Sequence, residues 1–181
     1  MAGTLNRDVC RIAIVGSPGA GKSTLARRLG ELLELPVIHL DRLFWKPGWT
    51  MTPRGQWRQV QEQLVKRERW IIDGNYDGTM EIRIAAAEVV IFLDLPPALC
   101  TWRLFKRAAL PGPPRLDLDP GCHENVYSRD FLQFLRWTWR FRRDTRPSVL
   151  DKFAALAIGN KIITLRSRRD VEELVQRVKS R

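Results

Sequence analysis

The residues best suited to chemistry stand near the start of the chain. Gly16-Ser17-Pro18-Gly19-Ala20-Gly21-Lys22-Ser23 fits the spacing G-x-x-x-x-G-K-[ST] in full. Glycines at these positions let successive backbone N–H groups turn inward around a phosphate, and a helix that starts at the loop adds partial positive charge. Lys22 is spaced to reach β- and γ-phosphates, Ser23 to ligate Mg²⁺, and Thr24 to pack or touch a phosphate. The pattern therefore predicts a site for a nucleoside triphosphate, ATP, with its Mg²⁺.

Further cations follow in the second half of the chain. Arg103 and Arg107 are four residues apart, so on a helix both guanidinium groups project from one face. Arg136, Arg140 and Arg143 form a second stripe, which suits either a phosphate-facing surface or an ordinary solvated face. Lys and Arg number 31 against 20 Asp and Glu, a net charge of +11, of which +3 falls in residues 1–90 and +8 in residues 91–181. Something anionic is expected to meet the second half: a polyphosphate, or a nucleic-acid backbone.

These groups need elements to hold them. Ile12-Ala13-Ile14-Val15, Val37 to Leu40, Trp70 to Ile72, Val89 to Leu93 and Lys161 to Leu165 read as short apolar strands, the middle three running directly into Asp41, Asp73 and Asp94. Leu25, Leu29, Leu32 and Leu33 mark a helix after the glycine loop. Thr52-Pro53 reads as the N-cap and first residue of a helix to about Lys66, and Arg129 to Arg143 as an aromatic helix. Ser167-Arg168-Arg169-Asp170 opens a last helix with a capping box that buries Val171, Leu174, Val175 and Val178. Strands alternating with helices predict a parallel sheet covered on both faces, an α/β fold in a single domain over residues 1–181.

Composition excludes several classes. Apolar residues make up 44% and charged residues 28%, a globular balance far from that of a disordered chain. No apolar run approaches the roughly 20 residues of a membrane span, and the polar N-terminus lacks a secretion signal. Cys10, Cys100 and Cys122 fit neither a disulfide framework nor a zinc pattern, so a soluble protein of the reducing cytoplasm is expected. Cys122-His123-Glu124 offers ligand types without a second pair, which argues against zinc. No guanine-selecting tetrad is visible and the chain is too short for a hexameric ATPase core, which leaves the small phosphotransferases.

Four stretches carry a resemblance. The loop from Gly16 to Thr24 resembles that of adenylate kinases and related small-molecule kinases, and Ile71-Ile72-Asp73-Gly74 is similar to their strand-three Asp-Gly motif. His39 to Trp45, Trp70 to Tyr76 and Ile91 to Pro96 resemble the DNA topology modulation (FlaR-type) proteins, a P-loop kinase-like family, over nearly the whole chain. The resemblance implies a three-layer P-loop NTPase fold with a five-stranded sheet of order 2-3-1-4-5. It also implies an acceptor-side flap at about residues 42–68 and a lid at about residues 109–128, with Arg115 as a mobile cation. Asp73 would take the position that holds Mg²⁺, with Asp94 as the competing carboxylate. Arg103 and Arg107 resemble the pair that holds ATP at the base of the lid, and Asp41 stands where acceptors bind, able to take or orient the proton of an attacking hydroxyl.

One departure bears on the acceptor. Adenylate kinases follow the Asp-Gly motif closely with an arginine that grips the acceptor phosphate, whereas here Asn75-Tyr76-Asp77 follows and the next arginine is Arg83. A hydroxyl-bearing or otherwise unidentified small acceptor is therefore expected in place of a nucleoside monophosphate. Trp45, Trp49 and Trp57 in the flap either stack on a base or sugar or pack onto the sheet. His39 reads as a strand-end residue. The expected activity is transfer of the γ-phosphate of ATP to a small acceptor, with Lys22, Asp41, Arg103 and Arg107 as catalytic residues and no membrane partner. The alternative is a nucleic-acid-associated ATPase or a nucleotide-responsive regulator without catalysis.

Overall fold

A computed structural model describes residues 5–110, 115–122 and 125–180. Five strands, β1 (Arg11–Gly16), β2 (Val37–His39), β5 (Trp70–Asp73), β6 (Val89–Leu93) and β7 (Ile162–Leu165), form one parallel sheet in the order β2-β5-β1-β6-β7. Counted among these five alone, that is the expected order 2-3-1-4-5. A separate antiparallel hairpin, β3 (Trp45–Lys46) and β4 (Thr50–Met51), lies between β2 and β5 in sequence.

Side-chain alternation along β1 makes the three layers. Ile12 and Ile14 face one core, which α1 (Lys22–Leu33) and α8 (Arg168–Lys179) cover with Leu25, Leu29, Leu174 and Val178. Ala13 and Val15 face the other, closed by Trp57 of α3 (Arg54–Leu64), Ile84 of α4 (Met80–Ala86) and Val149 and Phe153 of α7 (Arg146–Ala155). A strand buried on both faces reads as a continuous apolar run, the reason these strands were visible in the sequence. The predicted capping box is present: the Ser167 hydroxyl accepts from the Asp170 N–H and Asp170 accepts from the Ser167 N–H.

Two local readings change. The second strand stops at His39, and Leu40–Phe44 form a short helix, α2, so Asp41 stands in a first helical turn and not at a strand end. Thr52 does not cap α3; its hydroxyl donates to the Leu43 and Phe44 carbonyls and ties the hairpin back to α2, while Pro53 takes the cap position. The helix over Arg129–Asp144, α6, begins where expected with a Ser128 cap, and it packs against α5 (Pro97–Ala109). Arg140 and Arg143 of its basic stripe both pair with Asp144, the behaviour of a solvated face. Residues 111–114 of the expected lid, with His123 and Glu124, lie outside the described residues.

Candidate functional site

The C-terminal ends of β1, β2 and β5 open into a cleft of about 1220 Å³ bordered by the glycine loop, the hairpin, α5 and the start of α8. Open parallel sheets bind ligands at this edge, where loops diverge to either side. Gly16, Gly19 and Gly21 adopt φ of 138°, 70° and 97°, and a Cβ at Gly16 or Gly19 would collide with the Leu93 or Cys100 carbonyl oxygen. The loop is thus wrapped tightly onto β6 and α5 in a conformation only glycine takes without strain. Ser17 and Ala20 are buried in that contact, and Pro18 and Thr24 face the cleft. Asn75 completes the cradle, its Oδ1 accepting from the Gly16 N–H at 3.0 Å.

Lys22 curls back over the loop, its Nζ donating to the Gly16 and Ser17 carbonyls at 2.9 and 3.0 Å. Burial lowers its pKa from the ordinary lysine value, and the charges of Asp41 and Asp73 oppose that shift. Two carboxylates read from the sequence thus act electrostatically on the lysine read from the motif. Arg107 also acts on Lys22, in the opposite sense, and Arg103 lies against the loop with Nη1 donating to the Ala20 carbonyl at 3.2 Å. Arg168, read in the sequence only as part of a capping box, borders the same cleft and adds its field to that of Arg103.

Asp73 and Asp94 have different surroundings. His39 Nδ1 donates to Asp73 Oδ1 at 2.8 Å, while Asp73 Oδ2 is buried with no partner among the described residues. An orphaned carboxylate oxygen within the electrostatic reach of Lys22 fits a hydrated cation that would satisfy it. Asp94 has no such vacancy: Arg142 Nε and Arg146 Nε donate to its two oxygens at 3.2 and 3.0 Å, and Arg142 also takes its backbone carbonyl. That pairing clamps α6 and α7 to the end of β6. Of the two carboxylates Asp73 is the one with an oxygen open to Mg²⁺, while the Ser23 side chain hydrogen-bonds to Asp117.

The far end of the cleft is built differently. The Tyr76 hydroxyl donates to Asp41 Oδ1 at 2.7 Å, and burial raises the Asp41 carboxyl above its ordinary pKa although Tyr76 and Lys22 oppose the rise. Burial and the neighbouring carboxylate hold the Tyr76 phenol far above its own ordinary value, so it remains a donor. Arg83, the first arginine after the Asp-Gly motif, does not line the cleft. It is fully buried, bonded to Gln61 and to the Gly74 and Asn75 carbonyls, and burial lowers its pKa to about 10. Its task is to shape the turn that presents Asn75 and Tyr76. Trp57 packs in the core, whereas Trp45 and Trp49 line the cleft with ring centroids 5.3 Å apart. Arg115 pairs with Asp117 at 2.9 Å, and residues of that loop rest on the hairpin: Gly48 N–H donates to the Gly121 carbonyl and the Cys122 thiol to that of Lys46.

Loop, sheet and cleft together define a P-loop protein with the architecture of small-molecule kinases. Solved structures share it: shikimate kinase from Acinetobacter baumannii, in complex with shikimate, matches with a TM-score of 0.58 at 18% identity, covering 95% of this chain and 92% of that one. A gluconokinase from Sinorhizobium meliloti 1021 matches with a TM-score of 0.51 at 16% identity, covering 94% and 90%. An unliganded sugar kinase from Janibacter sp. HTCC2649 gives 0.52 at 18%, covering 95% and 93%. In sequence, an adenylate kinase from Cyanothece sp. (strain PCC 7425 / ATCC 29141) is 28% identical over 130 residues, covering 55% of this chain and 66% of that enzyme. No family model matches the chain. Among the described residues no helix is long and apolar enough to cross a membrane.

Proposed function

We propose that the protein transfers the γ-phosphate of ATP, as its Mg²⁺ complex, to the hydroxyl of a small acceptor held beside Asp41. The observation that supports this reading is that Lys22 and Asp41 line one cleft with the glycine loop, with Asp41 and Asp73 both acting electrostatically on Lys22. The relatives with this architecture are kinases, and their names supply the reaction class.

The chain's own groups divide the work. Backbone N–H groups of Gly19, Gly21, Lys22 and Ser23 hold the phosphates, and Lys22 leaves the loop carbonyls to meet the β- and γ-oxygens. Arg103 and Arg107 neutralise the charge that spreads over the moving phosphoryl group. Magnesium, held through Ser23 and Asp73, would supply charge neutralisation across the β- and γ-phosphates. Tyr76 fixes the Asp41 carboxylate by its 2.7 Å hydrogen bond, leaving the other oxygen to accept a proton from the acceptor. As the acceptor oxygen bonds to the γ-phosphorus and the bond to the β-bridging oxygen breaks, that proton passes to Asp41. Its raised pKa makes it a better base than an exposed aspartate.

The test is a screen of nucleosides, nucleotides, sugars and hydroxy acids for stimulated ADP release, with Lys22→Met as control. Stimulation by at least one compound, absent in Lys22→Met, is the expected result. A Lys22→Met protein that transfers phosphate at the wild-type rate overturns the reading.

A further inference from the structure

Ser23 and Asp117 come from distant parts of the chain and meet at the cleft. Ser23 stands in the first turn of α1, and Asp117 belongs to residues 115–122, beyond α5. Both border the cleft, and the Ser23 side chain hydrogen-bonds to the Asp117 carboxylate. The G-K-[ST] pattern that marks Ser23 calls for no such partner, so the carboxylate needs an account of its own.

Contacts on either side hold Asp117 in place. Arg115, two residues before it, grips both of its oxygens, with Nε donating to Oδ1 at 3.1 Å and Nη2 to Oδ2 at 2.9 Å. Leu118, the next residue, is buried at 3% exposure. Beyond it Asp119 closes a turn by accepting from the Gly121 N–H at 2.8 Å, and that turn is fastened to the hairpin. The Gly121 carbonyl accepts from the Gly48 N–H at 3.2 Å, and the Cys122 thiol donates to the Lys46 carbonyl at 3.2 Å. A Cβ at Gly121 would stand only 2.8 Å from the Pro47 Cβ, so turn and hairpin lie in close contact.

The grip of Arg115 decides which way the Ser23 bond runs. A carboxylate paired on both oxygens with a guanidinium is ionised and can only accept. Burial alone would raise its pKa, but the bonds from Arg115 and Ser23 outweigh burial and hold it well below the usual carboxylate range. The single hydroxyl proton of Ser23 therefore goes to Asp117, which leaves the lone pairs of the Ser23 oxygen for another partner. A metal ligand whose proton is held by a carboxylate is both oriented and a stronger electron donor. The same pair lies within the field of the rest of the site: the charge of Asp117 acts on His39, which holds Asp73, and that of Arg115 acts on Asp41.

We infer that Asp117 is a positioning residue for the metal site, taking the Ser23 proton so that the Ser23 oxygen stays available to Mg²⁺. This rests on the Mg²⁺-ATP part of the proposed function. Asp117 acts through Ser23, and Arg115 keeps it charged and aimed.

The experiment titrates the full chain with a non-hydrolysable ATP analogue by calorimetry, once with Mg²⁺ and once with EDTA, and records the melting temperature of each protein. It compares the wild type with Ser23→Ala, Asp117→Ala and the double variant, and Asp117→Asn repeats the test without a change of size. The wild type should bind the analogue more tightly with Mg²⁺. Asp117→Ala should weaken that binding about tenfold or more and leave metal-free binding within about twofold. In the Ser23→Ala background the same change should cost less than about twofold, because the hydroxyl through which it acts is gone.

A wild type indifferent to Mg²⁺ overturns the inference, as does an Asp117→Ala protein that keeps the wild-type preference for the metal complex. Losses that multiply in the double variant also overturn it, since they mark a carboxylate that reaches the ion without Ser23. So does an equal loss with and without Mg²⁺ that disappears in an Arg115→Met background, the mark of a residue that only holds Arg115 for the phosphates. Acceptor-stimulated ADP release separates this claim from phosphotransfer. Its absence, beside metal-linked binding that depends on Asp117, counts against phosphotransfer alone, whereas transfer by a protein whose metal preference ignores Asp117 counts against the inference alone.

Discussion

The glycine-loop end of the cleft, the proposed phosphate end, and the hairpin end, the proposed acceptor end, are built by opposite means. At the phosphate end the backbone itself is the binding surface, and three glycines adopt positive φ at little cost because no side chain is wanted there. At the acceptor end side chains are the surface, and Trp49 and Tyr76 are held in the same region of backbone space against their preference. The first arrangement offers backbone N–H groups to a ligand, and the second offers side chains.

The largest expected effects set the two ends against each other. Lys22→Met should remove turnover while leaving the circular dichroism spectrum and the melting temperature intact, because it deletes a buried charge whose protonated form burial already disfavours. Asp41→Asn should lower kcat by about 10²–10⁴ with Mg²⁺-ATP affinity unchanged, as expected when a proton acceptor alone is lost. An Asp41→Asn protein that binds ATP as poorly as Lys22→Met would mean that the two ends are not separate.

The carboxylates sharpen the comparison further. Asp73→Asn should weaken binding of Mg²⁺-ATP by about tenfold or more while sparing that of metal-free ATP, read by calorimetry with and without the metal. Asp94→Asn should leave metal dependence alone and lower stability by about 1–3 kcal/mol in urea unfolding, since it strips Arg142 and Arg146 of a charged partner.

The smallest effect concerns pH. Burial opposes the charging of His39, but its hydrogen bond to Asp73 outweighs this and raises the pKa above 6.5. A raised histidine contributes stability that is fully present below its unfolded pKa and lost as pH rises through the folded one. The melting temperature should therefore fall as pH rises above about 6.5, and His39→Gln should flatten that fall.

The two ends also differed in how far they could be read in advance. The phosphate loop, the five strands and the capped last helix were legible because each rests on local rules: glycine conformation, apolar runs and Ser-Asp capping. The sheet order came with the family resemblance and matches the pairing observed. The hairpin was not visible, since two-residue strands such as Trp45–Lys46 have no periodicity to detect. Thr52 looked like a cap because its real partners, the Leu43 and Phe44 carbonyls, are brought to it only by the fold. Arg83 could be noted as distant from the Asp-Gly motif, but its burial under the Asn75 turn depends on Gln61 and α4 packing from another part of the chain. Arg168 was hidden inside a capping box that explained it well enough. Residues placed by local backbone rules were readable; those placed by contacts between distant segments were not.

The most direct test of the account is acceptor-stimulated ADP release measured across the compound panel for the wild type and Asp41→Asn side by side, with Mg²⁺-ATP affinity measured on both. The account predicts that a hydroxyl compound stimulates the wild type, and that the stimulation falls by about 10²-fold or more in Asp41→Asn at unchanged nucleotide affinity. An Asp41→Asn protein stimulated as strongly as the wild type would contradict it.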